Sequence, residues 1–129
     1  MESAFLARYQ RQINLPQWGV GAQKKLAQSS VLIVGLGGLG CAVAPYLVSA
    51  GIGRVGLVDF DEVSLSNLHR QPLYTQDDLG KSKVKKAADF LRKLNPLCQI
   101  DVYPCPFDLY FDRDLSLETI QEYLSLIHI

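Results

Sequence analysis

The chain has 129 residues, 48% of them hydrophobic, which is enough for one domain with a real core and too apolar for a disordered chain. Thirteen basic and thirteen acidic residues cancel to zero formal net charge, so no broad basic surface for nucleic acid or membrane is encoded, and no apolar run is long enough to span a bilayer. Cys41, Cys98 and Cys105 are odd in number and form no Cys-x-x-Cys pair, which argues against a disulfide framework or a zinc site within these residues. A reducing, cytoplasmic setting without a secretory signal fits that usage.

Residues 3–29 alternate polar and apolar stretches, with helix expected near Ser3–Tyr9 and Ala22–Gln28 and a loop at Pro16 and Gly19. Arg8-Tyr9-x-Arg11-Gln12 places two arginines ahead of the next element, either as a solvated helix end or as groups reaching a site on this or a neighbouring subunit. Val31–Val34 is an unbroken β-favouring run, as in a strand buried on both faces of a parallel sheet. It enters Gly35-x-Gly37-Gly38-x-Gly40, after which Leu39, Ala42, Val43, Tyr46, Leu47 and Ala50 follow helical spacing. Strand, glycine turn and helix in that order make a phosphate-binding turn. Gly35 supplies a conformation closed to other residues, Gly37 and Gly38 allow the main chain to approach a ligand, and Gly40 lets the helix lie against the strand. The helix N-terminus then offers free N–H groups to an anion. Pro45 should cost about 3 kcal/mol inside that helix, which predicts a kink or a start later than Gly38. Cys41, on the first turn, is expected as a small buried residue under the loop.

Gly51-Ile52-Gly53 stops the helix and Arg54–Val58 is the second strand. It ends at Asp59, about 20 residues past the glycines, where a carboxylate can hold ribose hydroxyls; Asp61 reads as a turn or cap residue. Ser64–Pro72 is a polar loop that concentrates Ser66, Asn67 and Arg70, the last a planar charge suited to phosphate oxygens, with His69 as a bystander. A helix follows from Lys81 to Asn95, with Val84, Ala87, Ala88, Leu91 and Leu94 as its buried stripe. Lys83 sits in its first turn, where the macrodipole disfavours a cation, so a phosphate neighbour is the better reason for it; Lys81, Lys85 and Lys86 read as solvent charges. Gln99–Tyr103 is a third strand and Ser116–Tyr123 a short helix. The fold expected is α/β: a Rossmann-like, mostly parallel sheet with helices on both faces, cut short at its C-terminal side. An uncovered sheet edge and apolar surface predict association.

Five motifs in order resemble the MoeB/ThiF/HesA adenylyltransferases, relatives of ubiquitin-activating E1 enzymes, with wording nearest the molybdopterin-synthase branch. They are Arg8–Gln12, Val31–Gly40, Val58–Asp61, Ser64–Gln71 and Gly80-x-x-Lys83, with Leu94-Asn95-Pro96 beyond, so the resemblance covers roughly residues 8–110. It implies an ATP site: Gly35, Gly37, Gly38 and Gly40 against the nucleotide, Asp59 on the ribose, Ser66, Asn67 and Arg70 along nucleotide and phosphates, and Lys83 on the phosphates. Arg11 would enter the partner's site across a homodimer. The implied reaction is adenylation of the C-terminal glycine of a ubiquitin-like sulfur-carrier protein of the MoaD/ThiS type, with Mg²⁺. The metal-binding Asp, the carrier surface and any zinc-binding Cys-x-x-Cys pairs of the family would lie beyond these residues. Leu124–Ile129 matches the translated end of a sequencing-library adapter, so the domain is expected to occupy 1–123, with 124–129 a non-native tail and the 129 residues inactive by themselves. Two other readings use the same glycines: a nicotinamide-dependent oxidoreductase domain, which leaves Arg11, Ser64–Gln71 and Lys83 without a purpose, and a non-catalytic E1-like scaffold subunit, against which Arg70 and Lys83 argue.

Overall fold

The structure is a computed structural model that describes residues 2–105, 121, 123 and 125–128. Four strands, β1 (Ser30–Val34), β2 (Arg54–Val58), β3 (Gln99–Tyr103) and β4 (Ser125–His128), form one sheet in the order β3-β2-β1-β4. All three pairings are parallel, with Ile33 opposite Leu57 on one side and Ile127 on the other. The α-helices that lie wholly within the described residues are α1 (Glu2–Ile13), α2 (Gly19–Ala27), α3 (Gly38–Ala50) and α4 (Lys83–Leu94).

β1 is buried along its whole length because it has a strand on each side and cover on both faces. Its side chains alternate between two cores. Val31 and Ile33 join Val55, Leu57 and Ile100 under α3 and α4, whereas Leu32 and Val34 join Val58, Cys105 and Tyr123 on the other face. Two crossovers of one hand, stepping in one direction across a parallel sheet, must lie on the same face, which is where α3 and α4 lie. The helix expected over Ser116–Tyr123 falls almost wholly outside the described residues. Residues 124–129, set apart as a tail, include β4.

The strands β2 and β3 match the sequence expectation residue for residue, and α4 is one to two residues shorter at each end than expected. α3 starts at Gly38, not later, and keeps Pro45 inside it. Its buried side is Gly40, Cys41, Ala44 and Val48, while Leu39, Ala42 and Tyr46, which carry the helical spacing, are exposed. The sheet selects the small residues because the helix approaches it closely: a Cβ at Gly40 would stand 2.2 Å from the Gly35 carbonyl oxygen.

The helices run from the carboxyl ends of the strands back to their amino ends. The molecule therefore has two ends: the glycine turn, Ser64–Gln71 and Lys83 at one, and α1, α2 and the last turns of α3 and α4 at the other. At this second end Asn95, fully buried, donates through Nδ2 to Tyr9 Oη (2.7 Å) and to the Val48 carbonyl (2.8 Å) and accepts from Leu97 N–H. Gln12 and Gln23 both donate to the Ala50 carbonyl, at 2.9 and 2.8 Å. Tyr9 and Gln12 of the arginine-rich motif are thus joints between α1 and the ends of α3 and α4.

Candidate nucleotide site

The turn is built around Leu36. Gly35, at φ +99°, takes the left-handed bend that a side chain would strain, and its N–H donates to the Val58 carbonyl at 2.8 Å. Leu36 N–H donates to Asp59 Oδ2 at 2.7 Å, and its carbonyl accepts from Tyr74 Oη at 3.1 Å and from Cys41 Sγ at 3.4 Å. Three groups from three segments therefore fix the backbone of one residue, and the loop that follows is aimed before anything binds. Burial pushes the Cys41 thiol up despite the helix N-terminus beside it, so it is a neutral donor and not a nucleophile; burial raises the Tyr74 phenol as well.

Asp59, the expected ribose ligand, also ties two turns together. Its second oxygen accepts the Asp61 N–H at 2.8 Å, so the carboxylate clamps the glycine turn to the turn after β2 while keeping lone pairs for a hydroxyl. Asp61, expected as a turn or cap residue, stands in that turn and also directs its carboxylate toward Lys83 Nζ, 3.8 Å away. Lys83 is the first residue of α4 and 4% exposed, a buried cation at a helix end that disfavours it. One exposed carboxylate is modest compensation for that position. Of the neighbouring lysines, Lys81 and Lys85 are exposed as expected, but Lys86 pairs with Asp78 at 3.8 Å.

Ser64–Gln71 is not an open loop. Leu65–Arg70 winds as a 3-10 helix whose polar groups form a chain: Asn67 Nδ2 donates to Ser64 Oγ at 2.9 Å, and Arg70 Nη2 donates to Asn67 Oδ1 at 3.0 Å. Ser66 Oγ lies 3.5 Å from Ser64 Oγ. This 3-10 helix lies against the glycine turn: a Cβ at Gly38 would meet the Arg70 carbonyl at 3.4 Å and its guanidinium at 3.9 Å. Ser66, Asn67, Arg70, Gly35–Gly40 and Asp59 thus belong to one surface at one end of the sheet. His69 is exposed and apart from any ligand set, and among the described residues no cluster of His, Cys, Asp or Glu could hold a metal ion.

Two residues here escaped the sequence reading. Tyr74 has no motif of its own, and its contact with Leu36 spans 38 residues. Gln71 is 2% exposed, beside Gly37, and its Oε1 has no partner among the described residues. A buried, unpartnered amide oxygen costs about 1–3 kcal/mol unless a ligand or water supplies a donor.

Arg11 is not at this end. It is exposed, one residue from Gln12, whose amide is bonded to the last turn of α3. Arg8, likewise, donates to the Leu94 carbonyl. The thirteen residues of α3 separate that end from Gly38 by about 18 Å. A mostly apolar cavity of about 450 Å³, lined by Phe5, Tyr9, Ile52 and Leu97 among others, lies at the Arg11 end and has none of the phosphate-binding geometry.

The ThiF family profile matches residues 9–125. The adenylyltransferase and sulfurtransferase MOCS3 of Drosophila virilis is 58% identical over 99 residues, which are 77% of this chain and 22% of that protein. The sulfur carrier protein adenylyltransferase of Thermus thermophilus is 52% identical over 126 residues, 88% of this chain and 46% of that protein. The chain therefore spans from about a fifth to just under half of the length of these relatives. Among solved structures, E. coli tRNA N6-threonylcarbamoyladenosine dehydratase TcdA in complex with ATP superposes with a TM-score of 0.74 at 31% identity, covering 80% of this chain and 42% of that one. E. coli MccB with ATP gives 0.66 at 35% identity, covering 68% and 26%.

Proposed function

This chain belongs to the ThiF family, and from that premise we propose that its glycine-turn end is the ATP-binding part of an adenylation site that activates the C-terminal glycine of a ubiquitin-like sulfur-carrier protein. The observation that carries this reading is the single surface formed by the Leu36-centred turn, Asp59 and the Ser64–Gln71 segment, ending in the Arg70 guanidinium over Gly38. A nicotinamide site would use the glycines and Asp59 and leave that segment idle.

In the reaction, a carboxylate oxygen of the carrier attacks the α-phosphorus of ATP. The new bond is carboxyl oxygen to phosphorus, the bond broken joins that phosphorus to the bridging oxygen, and pyrophosphate leaves with the electron pair. The nucleophile is already ionised, so no general base is required. The difficulty is electrostatic, since an anion approaches an anion while charge builds on pyrophosphate. Arg70 supplies a planar charge toward phosphate oxygens, and Lys83 a point charge freed from Asp61 when a stronger anion arrives. The N–H groups at the start of α3 supply a fixed partial charge. Asp59 holds the ribose. Arg11 cannot reach the turn of its own chain, so its part is to enter the site of a second subunit in a homodimer. Bound Mg²⁺ would neutralise the triphosphate further; among the described residues no cluster of His, Cys, Asp or Glu would hold it.

The parent setting we propose is cytoplasmic, in molybdenum-cofactor or related sulfur-transfer biosynthesis; Cys41 and Cys98, buried as free thiols, suit a reducing compartment. For the 129 residues by themselves the proposal is nucleotide binding without turnover. Equilibrium dialysis with ATP and NADH tests the first part: ATP retained and NADH not is the expected result, and the reverse would restore the oxidoreductase reading. Carrier-dependent pyrophosphate exchange by the purified chain would contradict the second.

A further inference from the structure

We propose that Asp61 is a positioning residue: it holds Lys83 in the empty site and yields it to phosphate, so that the turn after β2 sets how tightly a triphosphate is kept and how readily pyrophosphate leaves. This role rests on the adenylation reading for what Lys83 meets, and it gives a share in the affinity to a carboxylate that the reading leaves without one. The placement is built from main chain. Asp61 N–H donates to Asp59 Oδ1 at 2.8 Å, and the Asp61 carbonyl accepts Lys83 N–H at 3.1 Å. Beside them Val63 N–H donates to the Lys81 carbonyl and Gly80 N–H to the Val63 carbonyl, both at 2.9 Å, with Glu62 bridged antiparallel to Ser82. Two short segments therefore bind the turn after β2 to the start of α4 as a ribbon.

That ribbon, not attraction between side chains, brings the Asp61 carboxylate to 3.8 Å from Lys83 Nζ. Within α4 itself no acidic residue stands in the first turn, and Ser82 gives no side-chain cap, so Asp61 also supplies the negative charge that the helix N-terminus favours. Burial is unequal across the pair: the Lys83 side chain is 4% exposed and that of Asp61 54%. A buried ammonium needs an anion beside it at all times, whereas an exposed carboxylate loses little when its partner turns to another anion. The pair is therefore made for exchange. Phosphate replaces the carboxylate as nucleotide enters, and the carboxylate replaces phosphate as pyrophosphate departs. Asp61 competes with the ligand for Lys83 and lowers its affinity, while its own main-chain bonds keep the Asp59 turn in place.

Calorimetric titration of ATP, pyrophosphate and adenosine into the 129-residue chain tests this. Asp61→Asn removes the charge and keeps both main-chain bonds, so ATP and pyrophosphate should bind about three- to tenfold tighter. Adenosine, which brings no phosphate to Lys83, should bind as it does to the wild type. Asp61→Ala should behave alike. Glu62→Gln removes an equal, exposed charge one residue along and should leave all three ligands unchanged. Weaker or unchanged ATP binding in Asp61→Asn, with or without Mg²⁺, overturns the proposal. So does an equal shift for adenosine, which would mark a disturbed turn, or an equal gain in Glu62→Gln, which would mark a general field. Failure of the adenylation reading looks different: ATP does not bind, while pyrophosphate still binds tighter in Asp61→Asn. Binding of neither anion overturns both.

Discussion

The two ends of the sheet use their polar residues in opposite ways. At the α1–α2 end every buried amide is spoken for. Asn95 makes three hydrogen bonds that tie α1, α3 and the chain after α4, and Gln23 accepts from Trp18 and Gln12 while donating to Ala50. At the glycine end the backbone is just as firmly held through Leu36, yet Gln71 keeps an unpartnered buried oxygen, and Lys83 is buried with only a distant, exposed carboxylate. A saturated network is what stability alone produces, whereas unspent hydrogen-bonding capacity and an under-compensated cation beside a preset turn are what a binding site keeps in reserve. Stability and ligand affinity should therefore separate by end.

The largest effect is expected at Gly40. An added methyl would meet the Gly35 carbonyl oxygen at 2.2 Å, so Gly40→Ala must displace either β1 or α3, at a cost of about 3 kcal/mol, and should lower both the thermal midpoint and ATP affinity. Asn95→Ala sharpens the contrast. It strands the Tyr9 hydroxyl and Val48 carbonyl and should cost about 2–3 kcal/mol in denaturant unfolding, with the ATP affinity of the folded fraction unchanged. Arg70→Ala should do the reverse, weakening ATP binding about 10–100-fold in calorimetry, the worth of a charge-assisted contact, while leaving the unfolding midpoint close to wild type. A loss of stability in Arg70→Ala equal to that in Asn95→Ala would erase the distinction between the ends.

The smallest effect concerns Asp101, which belongs with the closed end in having its partners in place. Burial alone would raise its carboxyl, but hydrogen bonds from Tyr123, Arg54 and Gln99 outweigh that and hold it below its ordinary value. A depressed carboxyl adds stability that is present above its unfolded value and is lost as pH falls through the folded value. Tyr123→Phe removes one of those bonds, so it should lower stability at neutral pH by about 1 kcal/mol, a difference from wild type that shrinks as pH falls through the folded value.

The sequence exposed β1 because its apolar run is unbroken and ends at a glycine, and β2 and β3 because glycine or proline bounds short β-favouring segments, whereas β4 falls in the residues set apart as a tail; it exposed the glycine turn because strand, turn and helix come in order. It did not mark the inner face of α3 for a physical reason: with apolar residues on every side, periodicity cannot choose a face, and the choice falls to close approach, which buries Gly40, Cys41, Ala44 and Val48. The grouping of Asp59, Ser66, Asn67 and Arg70 was legible as motifs, whereas Tyr74 and Gln71 were not, since a tyrosine bonded to a peptide 38 residues away leaves no local pattern. Tyr9 and Gln12 looked like part of a functional motif and turned out to be structural joints, because their partners Asn95 and Ala50 come together only in the folded chain.

The measurement that bears most directly on the central claim is calorimetric titration of ATP into the wild type and into Arg70→Ala, with NADH as the competing ligand. ATP binding that falls in Arg70→Ala, together with no binding of NADH, is the result this account predicts. NADH binding without ATP binding, or ATP binding indifferent to Arg70, would contradict it.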